Sequence, residues 1–174
     1  MLTALDLPPI IQGGMGAAVS SWRLASAVSR TGQLGVVSGV ALDLVLARRL
    51  QDGDPEGHLR RALAHFPNQE MVERVLTRYF IDGGRATGTP YAPVPRLTVA
   101  PQRSTTELVV LGGFAEVWLA KEGHDGQVLA VDIDEGRLEA ARALGATDTA
   151  LVGRQIIFLG DVTTALTCLL FVKR

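Results

Sequence analysis

The sequence has a single cysteine, Cys168, among its 174 residues, and this scarcity excludes an internal disulfide and any metal site built from several thiolates. A lone cysteine usually packs as a small apolar residue, and its isolation is typical of a reducing compartment. The sequence does not open with a basic stretch followed by an apolar run, which is the pattern of a secretory signal. We therefore expect a cytoplasmic protein without a metal site.

Net charge is also nearly absent. The 17 Lys and Arg residues balance the 18 Asp and Glu residues, so no electrostatic field draws the chain to nucleic acid or to an anionic membrane. The longest apolar run near the C-terminus, residues 165–172, is far shorter than the roughly 20 residues that span a bilayer. We expect neither a nucleic-acid partner nor a membrane partner.

The length allows one domain with a core, whereas a complete eight-fold βα barrel typically needs about 250 residues. Pro-Ile-Ile-Gln at residues 9–12 predicts a short buried strand that enters a Gly-Gly-Met-Gly turn. A helix from Ser20 or Ser21 to about Arg30 and a second strand at residues 34–39 complete a βαβ unit.

Capping residues mark the next helices. Asp43 is a candidate cap for a helix that ends near Gly53, Asp54 starts a helix to about Phe66, and Asn68 starts one to about Phe80. Residues 82–102 are rich in proline and glycine and indicate a loop.

The second half of the chain begins with Ser-Thr-Thr-Glu at residues 104–107, which is typical of a capping box and predicts one helix over residues 104–121. Strands are expected at residues 127–133 and 156–159, with a helix at residues 135–144 between them. Residues 9–12, 34–37 and 128–132 are predicted to be adjacent parallel strands of an open α/β sheet.

Three stretches of this sequence resemble one enzyme family. Residues 9–16 look like the first strand and turn of the FMN-dependent nitronate monooxygenase (2-nitropropane dioxygenase-like) family, and residues 34–39 are similar to its second strand. Phe-Ala-Glu-Val-Trp-Leu-Ala-Lys-Glu-Gly-His-Asp-Gly at residues 114–126 resembles the helix and loop before its third strand. The resemblance covers about residues 8–127.

The resemblance implies parallel βα units that form an open, truncated part of a (β/α)8 barrel. Residues 1–127 would be the N-terminal part of the FMN-binding barrel, and residues 128–174 a βα tail of different pattern packed on the same sheet. The implied chemistry is flavin-mediated oxidation of a small nitronate with dioxygen.

The resemblance also implies a cofactor site at the glycine turn. Gly13, Gly14 and Gly16 would let backbone amides approach the flavin ring closely, and Met15 can lie against that ring. Gly39 ends the second strand and would lie at the same C-terminal end of the strands, where cofactors of this fold bind.

Two parts of the family's site are missing from this sequence. The phosphate usually binds at the loops after strands seven and eight, and those strands are absent. None of His58, His65 and His124 matches the family's catalytic histidine, so we expect solvated helix positions for the first two and a loop-capping role for the third. The chain alone is predicted to have weak activity or none, with a homo-oligomer as the route to a complete site.

A different pattern begins at residue 128. Residues 128–150 look like the second strand and helix of the nucleotide-binding half of a medium-chain alcohol dehydrogenase, in which Asp132 or Asp134 would bind the adenosine ribose. This alternative needs a strand at residues 108–111, whereas the barrel needs a helix there. A fused, non-catalytic fragment is the third hypothesis.

Overall fold

The computed structural model describes residues 8–95, 102–126, 128–132, 150–152 and 155–159, and these residues form a mixed α and β structure. In chain order, the elements within the described residues are α1 (Trp22–Ser29), β1 (Gly35–Ser38), α2 (Leu42–Gln51), α3 (His58–Leu63), α4 (Gln69–Tyr79), α5 (Arg103–Lys121), β2 (Val128–Asp132), β3 (Ala150–Val152) and β4 (Gln155–Leu159).

The four strands form one sheet in the order β1-β2-β4-β3. Strands β1 and β2 are parallel, with Val37 opposite Ala130, whereas β4 is antiparallel to both of its neighbours. A single parallel bridge joins Ile11 to Leu34. The predicted parallel alignment of residues 34–37 and 128–132 is therefore confirmed, and residues 9–12 join them through one bridge instead of a full strand.

Helix α5 is the centre of the helical layer. Its buried face, which includes Leu108, Leu111, Ala115 and Leu119, packs into the main hydrophobic core, and the helix contacts α1, α2, α3 and α4. The prediction of one continuous helix is thus confirmed, and residues 108–111 do not form the strand that a nucleotide-binding fold requires. Gly112 lies where α2 comes close, because a Cβ there would be 2.8 Å from the carbonyl oxygen of Leu42.

The predicted capping box is wrong. Helix α5 begins at Arg103 with Gln102 as its N-cap, and no side chain caps it. Instead, Oε1 of Glu107 accepts hydrogen bonds from Arg74 Nη2 at 2.7 Å and from Arg103 Nε at 2.9 Å. Charge-assisted bonds of this kind are roughly twice as strong as neutral ones. The Glu107 carboxylate therefore binds the two guanidinium groups instead of the backbone N–H that a capping box requires.

The other helix starts divide between confirmed and corrected predictions. Asn68 caps α4 by accepting from Met71 N at 3.0 Å. Asp54 does cap α3, through Leu59 N at 3.1 Å, but its positive φ of 42° sends the chain through a turn first and the helix starts only at His58. Asp43 does not cap α2, since it lies inside the first turn.

Several predictions fall outside the described residues: the helix at residues 135–144, the Asp134 alternative and the environment of Cys168. Within residues 82–95 the structure has no helix or strand, as expected. Among the helices that the structure describes, none has the length and apolar character needed to cross a membrane.

Candidate functional site

Gln12 holds the start of the glycine turn, residues 13–16, against β1. Its backbone N–H donates to Leu34 O at 3.0 Å. Its side-chain Nε2 donates to Val36 O at 2.9 Å, and Val36 N donates to its Oε1 at 3.2 Å. The side-chain amide of Gln12 therefore pairs with both backbone groups of Val36, as the backbone of a further strand residue would. The main chain can then turn at residue 13 without leaving Val36 unpaired.

Ser20 closes the glycine turn. Its hydroxyl donates to Gly13 O at 2.9 Å and accepts from Met15 N at 3.0 Å, while Ser20 N donates to Met15 O at 3.1 Å. Its own carbonyl accepts from Ser38 N at 3.0 Å, which ties the turn to the last residue of β1. The sequence suggested Ser20 only as a helix cap, and its role as the buried anchor of the turn was missed.

Three glycines of the predicted site, Gly13, Gly14 and Gly16, are exposed and have no partner for their amides among the described residues. Met15 is 60% exposed, and Gly16 adopts a positive φ of 56°. The Met15 side chain lies near Gly13, since a Cβ there would be 4.0 Å from Met15 Cγ, so the turn combines exposed backbone with an exposed apolar side chain.

Gly39 follows directly on β1 and is buried. Because Ser38 N is bonded to Ser20 O, the Gly39 segment and the glycine turn lie at the same carboxyl end of the parallel strands. Asp132 ends β2 at this end as well, one residue beyond Val131, which lies opposite Ser38. The structure thus brings the predicted cofactor residues to one end of the sheet.

Negative charge occupies the helix starts that follow these strands. Glu116, 3% exposed, accepts from Trp22 N at 2.7 Å at the start of α1 and forms an ion pair with Arg49. Asp43 is buried in the first turn of α2. Residues 7–22 and 31–42 contain no Lys, Arg or His. Both helix N-termini, which would otherwise favour an anion, are therefore already neutralised by carboxylates.

Histidine 124 has the predicted loop-capping role. Its Nδ1 accepts from Gly126 N at 3.1 Å, which leaves the proton on Nε2, and Nε2 lies 2.6 Å from Ala120 O. The imidazole therefore joins the end of α5 to the following loop and is not free to act as a base.

The expectation of solvated histidines is confirmed for His65, which is exposed, whereas His58 is only partly exposed and is bound by its neighbours. Nδ1 of His58 accepts from Arg61 Nη2 at 2.9 Å, and its Nε2 bonds to Glu56. His65 stacks on Trp118 with 4.6 Å between ring centroids. The two histidines were predicted to share one face of a helix, but α3 ends before His65. No signal in the sequence indicated these partners.

A cleft of about 260 Å³ lies between the start of α1, the end of α2 and the start of α3, and the sequence did not indicate it. Its charged side chains bind one another: Arg23 Nη2 lies 2.8 Å from Glu56 Oε2, and Arg49 pairs with Glu116. Hydrogen bonds from Arg23 and then His58 hold the pKa of the exposed Glu56 carboxyl below its ordinary value. These internal pairs leave the cleft poorly suited to a charged ligand.

No group of three or more His, Cys, Asp or Glu side chains suited to a metal ion occurs among the residues that the structure describes. Comparisons of the chain with protein-family models, with curated proteins and with solved structures find no match. The functional hypothesis therefore depends on the residues of the glycine turn and on their geometry.

Proposed function

We propose that this chain binds a flavin at the glycine turn and is an FMN-dependent oxidoreductase of the nitronate monooxygenase-like class, built as an open, truncated part of a (β/α)8 barrel. The observation that supports it is the glycine turn itself, in which the amides of Gly13, Gly14 and Gly16 have no hydrogen-bond partner among the described residues and Met15 is exposed. Amides of this kind are suited to the polar atoms at the edge of a flat ring, and a thioether to its apolar face.

The chain suits the ring of FMN better than its phosphate. No cationic side chain occurs in residues 7–22 or 31–42, and Glu116 and Asp43 stand at the two helix starts behind the turn. A phosphate there would meet these carboxylates, and the nearest cations, Arg23 and Arg49, are already paired with Glu56 and Glu116, whereas complete sites of this class supply charge-assisted hydrogen bonds. We therefore expect FMN affinity far below that of a complete barrel, and riboflavin, which lacks the phosphate, to bind at least as tightly as FMN.

A bound flavin would supply the oxidation chemistry, with a small nitronate as the substrate and dioxygen as the acceptor. What the chain's own residues add is binding and orientation of the ring. His58 and His124 have both ring nitrogens occupied, and His65 stacks on Trp118 beyond the end of α3, so no histidine of this chain matches the family's base. A positioned general base typically contributes 10²–10⁴-fold, so turnover near that of free flavin is expected.

The nucleotide-binding alternative has less support. Asp132 ends β2 at the appropriate end of the sheet, but the turn that would hold a pyrophosphate requires a strand where α5 is helical. Gly112 has a packing explanation, since a Cβ there would be 2.8 Å from Leu42 O.

The experiment is a titration of FMN and of riboflavin, followed by quenching of flavin fluorescence, together with nitronate-dependent oxygen uptake. Gly14→Val places a branched side chain in the turn and is expected to abolish quenching. Ala86→Val, on an exposed loop, is the matched control and should leave quenching unchanged. Absence of quenching in the unmodified chain contradicts the proposal, and binding of a nicotinamide nucleotide in its place supports the alternative.

A further inference from the structure

The segment Thr-Pro-Tyr-Ala-Pro-Val-Pro at residues 89–95 is restricted by its three prolines to one kind of backbone. Each proline fixes its own φ at about −65° and disfavours the helical region for the residue before it. Pro90, Pro93 and Pro95 therefore favour the extended polyproline II conformation for every residue of the segment except Tyr91, which neither is a proline nor precedes one. The structure agrees, because residues 89–95 contain no helix, no strand and no positive φ.

The burial of this segment repeats every three residues. A polyproline II helix has three residues per turn, so residues three apart lie on the same face. Tyr91 and Val94 are both partly buried. The four residues of the first two X-Pro pairs are all exposed: Thr89, Pro90, Ala92 and Pro93. One side of the segment therefore faces this chain, and the other side presents two X-Pro pairs one turn apart.

The buried side ties the segment to the end of α2 and to the core. The hydroxyl of Tyr91 donates to the carboxylate of Asp52 at 2.9 Å, and Ala92 N donates to Oε1 of the buried Gln51 at 2.6 Å. The Val94 side chain packs against the main hydrophobic core. Since these contacts already fix the segment, a partner that binds its exposed side has little conformational entropy to remove.

The exposed side has the spacing that proline-recognising domains bind. Such domains hold Pro-x-x-Pro segments in grooves lined by aromatic side chains. Pro90 and Pro93 lie three residues apart, which is about 9 Å along a polyproline II helix. Beside them, Arg48 of α2 is exposed, with its Cζ 5.2 Å from the Tyr91 ring, and it forms no ion pair with any other described residue. An acidic side chain at the rim of the groove would complement this charge.

We propose that residues 89–93 are a docking segment for a protein domain whose groove has two aromatic-walled pockets about 9 Å apart and an acidic rim. Thr89-Pro90 occupies one pocket and Ala92-Pro93 the other, while Tyr91 stays on this chain. The segment lies at the end of α2, and the glycine turn lies at its start, so docking does not depend on a bound flavin. The contact is small, and the complex dissociates at roughly 10–100 µM.

The test uses purified SH3, WW and EVH1 domains, the three classes that bind such segments. Each isotope-labelled domain is titrated with the whole unlabelled chain and followed by its amide and indole NMR signals. We expect at least one class to bind through the aromatic residues of its groove. Pro90→Ala combined with Pro93→Ala should weaken this binding at least about tenfold. Pro55→Ala combined with Pro67→Ala is the matched control, because both prolines are exposed but neither belongs to a Pro-x-x-Pro pair.

The charge beside the segment is tested separately. Arg48→Gln should lower both the affinity and its dependence on salt, and binding equal to that of the unmodified chain contradicts the acidic rim. Far-ultraviolet circular dichroism checks that each variant keeps the fold. Absence of binding to all three classes overturns the proposal, and so does binding that the double variant of Pro90 and Pro93 retains. Sedimentation equilibrium tests for a second copy of this chain as the occupant: a mass above 18.5 kDa that falls to 18.5 kDa in the same double variant also overturns it.

Discussion

Replacing Glu116 by glutamine removes a charge that three helices share. The carboxylate belongs to α5, accepts from Trp22 N at 2.7 Å at the start of α1, and pairs with Arg49 of α2. Glutamine keeps the shape of the side chain and one acceptor oxygen. It sets an N–H₂ group or a neutral oxygen against the guanidinium, so Arg49 loses its counter-charge.

The expected loss in the free energy of unfolding depends on how deeply the ion pair between Glu116 and Arg49 is buried. Breaking a fully buried pair costs about 3–5 kcal/mol, but the Arg49 side chain is 33% exposed and water recovers part of that loss. The bond to Trp22 N is a helix-capping bond worth about 0.5–2 kcal/mol, and glutamine retains some of it. We expect the free energy of unfolding to fall by about 2–3 kcal/mol, which at roughly 2–4 °C per kcal/mol lowers Tm by about 4–12 °C.

The assay is urea denaturation followed by far-ultraviolet circular dichroism. Glu122→Gln is the control, because Glu122 lies at the end of the same helix but pairs with Arg61 at the surface, where about 0–1 kcal/mol is expected. Arg49→Gln combined with Glu116→Gln should cost less than the sum of the two single changes. If Glu116→Gln destabilises no more than Glu122→Gln, the shared-carboxylate reasoning is wrong.

Three further predictions concern the turn, the helix contact and acid stability. Ser20→Ala loses two bonds of a buried hydroxyl and should cost about 1–3 kcal/mol, whereas Ser21→Ala, an N-cap without a side-chain bond, should change urea stability by less than about 0.5 kcal/mol. Gly112→Ala should destabilise, because its Cβ would lie 2.8 Å from the α2 backbone, while Gly113→Ala should stabilise by up to about 1 kcal/mol; equal Tm shifts would contradict this. Burial raises the pKa of the Glu107 carboxyl, but Arg74 and Arg103 lower it more, so the pKa lies below its ordinary value of 4.5. The stabilisation from this carboxylate is therefore present above pH 4.5 and is lost as the pH falls through the lowered pKa. Glu107→Gln should flatten the acid limb of a pH–stability curve.

Local patterns in the sequence predicted local structure well. Asn68 three residues before Met71 N predicts the α4 cap, and the apolar spacing through Leu108 and Leu119 predicts α5. β2 and β4 also lie where short β-branched runs indicated strands. These features depend on neighbours within a few residues, which one sequence displays directly.

The bonds that build the candidate site join residues far apart in the chain, and the sequence carries no sign of them. Glu116 and Trp22 are 94 residues apart, and Gln12 and Val36 are 24 apart. The capping box failed for the same reason, because Arg74 reaches Glu107 across 33 residues. A local motif predicts a bond only when no stronger partner arrives from elsewhere in the fold.

Competition between protein groups and a ligand for the same backbone N–H also affects which ligand the glycine turn can bind. A phosphate at the start of α1 would have to displace Glu116 from Trp22 N, and would lose that helix-capping bond, which is worth about 0.5–2 kcal/mol. An anion at a helix N-terminus gains typically about 0.3–1 kcal/mol and up to about 2 kcal/mol in partly buried geometries, which does no more than balance that loss. A ligand that binds the amides of Gly13, Gly14 and Gly16 would not have to displace a protein group, since no side chain of the described fold accepts a hydrogen bond from them. If the turn binds a flavin as proposed, we therefore expect the uncharged ring to provide the affinity and the phosphate to add little to it.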